Sequence, residues 1–157
     1  MPKPAIGLNR FNWRSPHSFA DDVARAEALG WGWALIPASS MKLQDPYVNL
    51  AFAAQKTERI GLGVLLDNPI VRHPGVLASS MATVERMARG RTLLTLGVGD
   101  TAVRLVGARP ARVARLEKAT QQVRDLMTGE PVEMGAARPA RLEFAARSPV
   151  WIAAGGP

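Results

Sequence analysis

Five short runs of this chain are apolar throughout instead of alternating polar and apolar: "AIGLN" (5–9), "WALIPA" (33–38), "IGLGVLL" (60–66), "TLLTLGVG" (92–99) and the run inside "SPVWIAAGGP" near the end. A strand with one wet face alternates, whereas a strand buried on both faces does not. The intervening segments carry helical spacing. Phe19, Val23, Ala26 and Leu29 form a stripe within residues 18–30. Leu77, Met81, Val84 and Ala88 form another after Pro74. Val113, Leu116, Thr120, Val123 and Met127 line one face of residues 109–129. The pattern predicts a parallel sheet covered by helices. Ser18 with Asp21 predicts an approximate capping box, and Asp45-Pro46 reads as N-cap and first helical residue. Gly30, Gly90 and Gly129 are placed to end helices. The stretch "EPVEMGAARPARLEF" predicts a short β-hairpin around Gly135.

Two architectures carry such a pattern. A chain of 157 residues holds one domain, and a five-stranded doubly wound sheet fits that length. A β/α barrel needs eight units and about 250 residues, and only about four and a half units are present. Pattern alone therefore favours the doubly wound sheet. Either fold works at the carboxyl ends of its strands. Those ends are "IPASS", "LLDNPIVRHP", "GVGDT" and "AAGGP".

Composition narrows the chemistry. With no cysteine, disulfides and thiolate metal sites are excluded, and two histidines make a histidine-rich metal site a poor expectation. The formal charge is +7, but the arginines are scattered and few aromatics interleave with them. A nucleic-acid platform is therefore not expected. The charge fits an anionic small molecule equally well, or no function at all. No apolar run approaches the roughly 20 residues of a membrane span. The first residues read as a strand and not as a signal peptide, so a cytoplasmic protein with a small-molecule substrate is expected.

"DNPIVRHPG" (67–75) follows the third apolar run with an amide, a guanidinium, a histidine and two prolines. Pro69 and Pro74 stiffen the backbone, Asn68 offers a donor and an acceptor, and Arg72 offers a fork suited to phosphate or carboxylate. His73 is either part of this rim or an exposed residue before a helix. In "GVGD" (97–100), Gly97 and Gly99 either let backbone N–H groups approach an anion or make a tight turn. "AAGGP" has the same character. Trp31, Trp33 and Trp151 flank strands and are expected in the core. No nucleophile, acid pair or catalytic triad is visible, so a cofactor would have to carry any chemistry and no catalytic side chain is assigned.

The stretches 45–63, 68–100, 107–132 and 149–157 together resemble the bacterial luciferase-like family of flavin and deazaflavin oxidoreductases. The branch that uses coenzyme F420, similar to methylenetetrahydromethanopterin reductase, is nearest. The resemblance implies a different fold from the one pattern favours: a TIM-type (β/α)8 barrel, of which this α/β chain matches the first half, through strand five. It further implies that F420, or alternatively FMN, lies across the barrel mouth. A non-prolyl cis peptide at about Leu65–Leu66 would back the ring and Asn68 would sit at the ring edge. Phosphate-binding glycines would be Gly97, Gly99, Gly155 and Gly156. Where relatives often carry Asp-Ser after the second strand, this chain has Ala38 and Ser39. Ser39 then faces the cofactor without a neighbouring carboxylate.

The implied function is hydride transfer between the cofactor and a small organic substrate. The alternative is a non-catalytic half-barrel without cofactor. In both cases the first and fifth strands would be open edges. Pairing into a homo-oligomer, or with a complementary half-barrel chain, is expected.

Overall fold

The computed structural model describes residues 6–12 and 14–154. The chain alternates β1 (Gly7–Asn9), α1 (Pro16–Ala28), β2 (Trp33–Ile36), α2 (Pro46–Lys56), β3 (Gly61–Asp67), α3 (Pro74–Ala88), β4 (Thr92–Leu96), α4 (Thr101–Leu105), α5 (Val113–Thr128) and β5 (Val150–Ile152). All pairings are parallel and the strand order is β1-β2-β3-β4-β5.

That order decides between the two architectures. A doubly wound sheet reverses direction at a switch point, which places helices on both faces. Here each strand is added beside the last with no reversal. Right-handed crossovers then put every helix on one face, as in a barrel wall. The helices pack side by side accordingly, α1 on α2, α2 on α3 and α3 on α5. The doubly wound expectation is thus corrected, and four β/α units and a fifth strand of a β/α barrel stand in its place.

Side-chain alternation sorts the two faces. Ala34, Ile36, Leu62, Val64, Leu94 and Leu96 join Phe19, Val23, Leu50, Leu77, Met81 and Val123 in one core between sheet and helices. Trp33, Leu35, Gly61, Gly63, Leu93, Thr95 and Trp151 occupy the alternate positions and so line the inner face. Glycine is needed at position 61 because the Trp33 indole lies where a Cβ would project.

Local signals place most helix ends. Asp45 caps α2, its Oδ1 accepting from Tyr47 N at 2.9 Å and Val48 N at 3.1 Å. His73 caps α3, with Nδ1 accepting from Gly75 N at 3.2 Å. The α3 stripe Leu77, Met81, Val84 and Ala88 is buried as expected. For α1 the cap expected from the sequence is one turn late. Ser15 is the N-cap, Pro16 opens the helix, and Ser18 completes the box as its third residue. Asp21 instead pairs with Lys56 on α2.

Other expectations are displaced. Leu29 and Val113 end up exposed because they lie just outside α1 and at the first position of α5. Trp151 is 59% exposed, since β5 has no neighbour beyond it among the described residues. The hairpin around Gly135 is reduced to one antiparallel bridge, Val132 with Ala140. The strand expected over 92–99 stops at Leu96, and the short α4 follows "GVGD". No helix among the described residues is long and apolar enough to cross a membrane.

Candidate functional site

The carboxyl ends of β2, β3 and β4 meet at one mouth. Ala38 N donates to Leu66 O at 3.2 Å, which ties the loop after β2 to β3 and sets Ser39 beside it. Gly97 N donates to Asp67 O at 2.9 Å, which ties β4 to β3. The β3–β4 register shifts between Val64 and Asp67, and the Leu65–Leu66 peptide within that irregularity is cis. Leu65 and Leu66 are both half-buried.

The two glycines of "GVGD" are explained by these neighbours. A Cβ on Gly97 would lie 3.0 and 3.1 Å from the Leu66 methyls. Gly99 has φ +79°, and a Cβ there would overlap Val103 and sit 3.1 Å from Asn68 Cβ and Cγ. Four of the sequence-predicted site residues, Leu66, Asn68, Gly97 and Gly99, therefore touch or nearly touch. Ser39 and Leu65 adjoin them. Gly155 and Gly156 lie outside the described residues; β5 leads toward them through Ala153, whose N–H donates to Leu96 O at 2.8 Å.

Asn68 is 1% exposed. Its Oδ1 accepts from Ile70 N at 3.2 Å and Val71 N at 2.9 Å, an Asx turn that shapes the loop into α3. The acceptor end of the amide is thus committed to the chain's own backbone. Nδ2 makes no hydrogen bond among the described residues and is the end left to donate.

Arg72 does not reach out for an anion. It pairs with Asp45, contacts Asp67 Oδ2 at 3.3 Å through Nε, and stacks 5.0 Å from the centre of the Tyr47 ring. Burial works against its charge, but Asp45 and Asp67 more than offset this and raise its pKa. Tyr47 donates to Asp67 Oδ2 at 3.0 Å, and Asn68 N donates to Asp67 Oδ1 at 2.8 Å. Burial pushes the Asp67 carboxyl up to about 6 despite these donors and Arg72. Burial, followed by the Asp67 charge, pushes the Tyr47 hydroxyl well above its ordinary value. Sequence reasoning misses this cluster behind the rim. The one available signal is Asp67 itself, a lone carboxylate closing an otherwise apolar strand.

Two half-buried leucines offer an apolar plate, and the buried Asn68 beside them keeps an Nδ2 that is unpaired among the described residues. This fits a flat ring with a polar edge. The anionic-tail expectation fits less well at Gly97, whose N–H is already bonded to Asp67 O. Among the described residues, no group of His, Cys, Asp and Glu is arranged to hold a metal ion.

Comparison with known proteins agrees with this architecture. The chain is 31% identical to an F420-dependent glucose-6-phosphate dehydrogenase of Intrasporangium calvum over 90% of its length and 49% of the relative's. It is 42% identical to a 5,10-methylenetetrahydromethanopterin reductase of Methanopyrus kandleri over 65% of this chain and 29% of that one. The solved structure of the coenzyme F420-dependent tetrahydromethanopterin reductase from Methanopyrus kandleri superposes with a TM-score of 0.82 at 24% identity, covering 97% of this chain and 50% of that one. A monooxygenase from Streptomyces bottropensis, RslO1, superposes at 0.75 and 21% identity, covering 95% and 53%. The chain spans about half the length, or less, of the curated relatives it matches. Residues 5–157 match the luciferase-like monooxygenase family, and the chain belongs to that family.

Proposed function

We propose that the chain forms the β1–β5 side of an oxidoreductase site that binds coenzyme F420 at the mouth and acts on a small organic substrate. The observation that carries this reading is the convergence of Leu65, Leu66, Asn68 and Gly97 at one strand-end rim. The names of the relatives support F420; FMN is the alternative, supported by the FMN complex of a type II Baeyer–Villiger monooxygenase from Pseudomonas putida that shares the fold. When bound, either cofactor supplies the hydride chemistry. The chain's own residues orient and enclose. Leu65 and Leu66 support one face of the ring, Asn68 Nδ2 donates to its polar edge, and Ser39 borders it from the loop after β2. Glycine at position 97 leaves the Leu66 methyls the room they occupy. A cytoplasmic setting goes with this reading.

Titration of the purified chain with F420, followed by the cofactor's own fluorescence, tests the proposal. Saturable binding that weakens in Leu66→Ala is expected, with FMN binding less tightly. No saturable binding of either cofactor at ~1 mM, the range of about −4 kcal/mol, would overturn it.

A further inference from the structure

Between α3 and α5 the helical wall holds a solvent-open groove of about 530 Å³. Its sides are the loop after β3, the start of α3, one face of α5 and the segment around Glu133. Arg115, Lys118 and Gln122 stand at i, i+3 and i+7 along α5, so they share the face that lines it. Arg115 Nη2 donates to Pro69 O at 3.2 Å, which holds the guanidinium at the loop end of the groove. Neither Arg115 nor Lys118 has a carboxylate partner among the described residues. Across the groove His73 Nδ1 accepts from Gly75 N at 3.2 Å, so the neutral imidazole carries its hydrogen on Nε2. The first N–H groups of α3 are already taken, Gly75 by that ring and Val76 and Leu77 by His73 O. Side chains, not the helix end, therefore supply the donors. Gln122 Nε2 donates to Glu133 O at 3.0 Å and fixes the segment that closes the groove. The Glu133 carboxylate is the one negative group in the lining. Residues 101–116 add to the positive balance: they hold Arg104, Arg109, Arg112 and Arg115 and no acidic residue, and only Arg104 is ion-paired among the described residues.

We propose that this groove binds the phosphate group of a small phosphorylated molecule. A guanidinium, an ammonium and an imidazole N–H line it from two sides, and a dianionic tetrahedral group has an oxygen for each. A carboxylate carries half that charge on two oxygens in one plane, so it satisfies fewer of them. Glu133 opposes the bound charge and sets a limit on affinity. The groove lies on the helical wall behind the rim loop, and no cofactor enters its chemistry, so this site and the cofactor site stand or fall separately.

The probe is inorganic phosphate, titrated into the whole chain at constant ionic strength and a fixed neutral pH. The chain has two histidines, and His17 packs edge-on against Phe52, with 4.6 Å between ring centres, outside the groove. The His73 imidazole resonance should move saturably, in the millimolar range, while that of His17 stays in place. Lys118→Gln should weaken binding roughly two- to fivefold, the worth of one exposed ion pair. Arg115→Gln should weaken it roughly tenfold, because a charge-assisted hydrogen bond goes with the charge. Glu133→Gln should strengthen it roughly two- to fivefold by removing the opposing charge. Arg25→Gln on α1 removes the same charge away from the groove and should leave affinity unchanged. All four of these side chains are exposed, so the fold is kept. Acetate should bind severalfold more weakly than phosphate. Equal movement of both histidine resonances, or no saturation, would overturn the proposal. So would unchanged affinity in Arg115→Gln, a loss in Arg25→Gln as large as in Lys118→Gln, or acetate binding as tightly as phosphate.

Discussion

Tyr47 on α2 and Asp67 at the end of β3 are joined by a 3.0 Å hydrogen bond across the helix–sheet interface, with the carboxylate residue only 1% exposed. Asp67 also receives the backbone N–H of Asn68 and faces Arg72. One buried carboxylate thereby fixes the start of the loop that carries the rim.

Asp67 makes stability depend on pH in a direction opposite to most carboxylates. Its pKa rises from 3.8 to about 6 on folding, chiefly through burial. The folded state then holds the proton more tightly than the unfolded one. Its contribution is fully present below about pH 4 and is lost as pH rises through about 6. That rise corresponds to something on the order of 3 kcal/mol. Asp67→Asn should remove this decline. Urea midpoints at pH 4.5 and 7.0 would show it: the wild type should lose stability relative to the variant between the two. Parallel pH profiles would refute the assignment.

Tyr47→Phe removes a donor from a buried carboxylate while keeping the ring under Arg72. The expected loss is about 1–2 kcal/mol at pH 7. The hydroxyl lowers the Asp67 pKa, so the variant's pH midpoint should move up. Equilibrium unfolding at several pH values reads both effects. An unchanged midpoint would mean that the hydroxyl does not act on Asp67.

The glycines of "GVGD" should respond unequally to alanine. At Gly97 the new methyl meets the flexible end of Leu66 at 3.0 Å, so a small shift can relieve it. A cost near ~1 kcal/mol is expected, with a clear loss of cofactor affinity because Leu66 moves. At Gly99 the backbone has φ +79° and Val103 blocks the methyl. That change should cost roughly 2–4 kcal/mol, the sum of a left-handed backbone and overpacking. Thermal unfolding of both variants would settle the order.

The legible part of this molecule lies in its apolar runs and helix stripes. Leu62, Val64, Leu94 and Leu96 are readable as doubly buried, and Asp45-Pro46 as a helix start, because each signal is local. The barrel order is not readable from periodicity, since sequential and reversed strand orders use the same strands and helices. It comes instead from the family resemblance. The rim is legible in residue type but not in partnership. Arg72 looks free in sequence because its partner Asp45 lies 27 residues earlier, beside Tyr47 at a helix start that only the crossover brings alongside. Trp151 is misplaced for a related reason: an apolar strand reads as buried whether or not anything lies beside it.

Asn68 separates a loop-building role from a ligand-binding one. Its Oδ1 holds Ile70 N and Val71 N, while Nδ2 has no partner among the described residues. Asn68→Ala loses both ends and should cost about 1–3 kcal/mol in folding through the two unpaired backbone donors. Asn68→Ser keeps a hydroxyl oxygen that can accept from the same turn, so its folding loss should stay below about 1 kcal/mol. If Nδ2 is the group that meets the ring edge, both variants lose cofactor affinity to a similar extent, roughly five- to tenfold, despite their different stabilities. Unfolding curves measured beside F420 titrations distinguish the roles. Wild-type affinity in Asn68→Ser would show that the side chain only builds the loop.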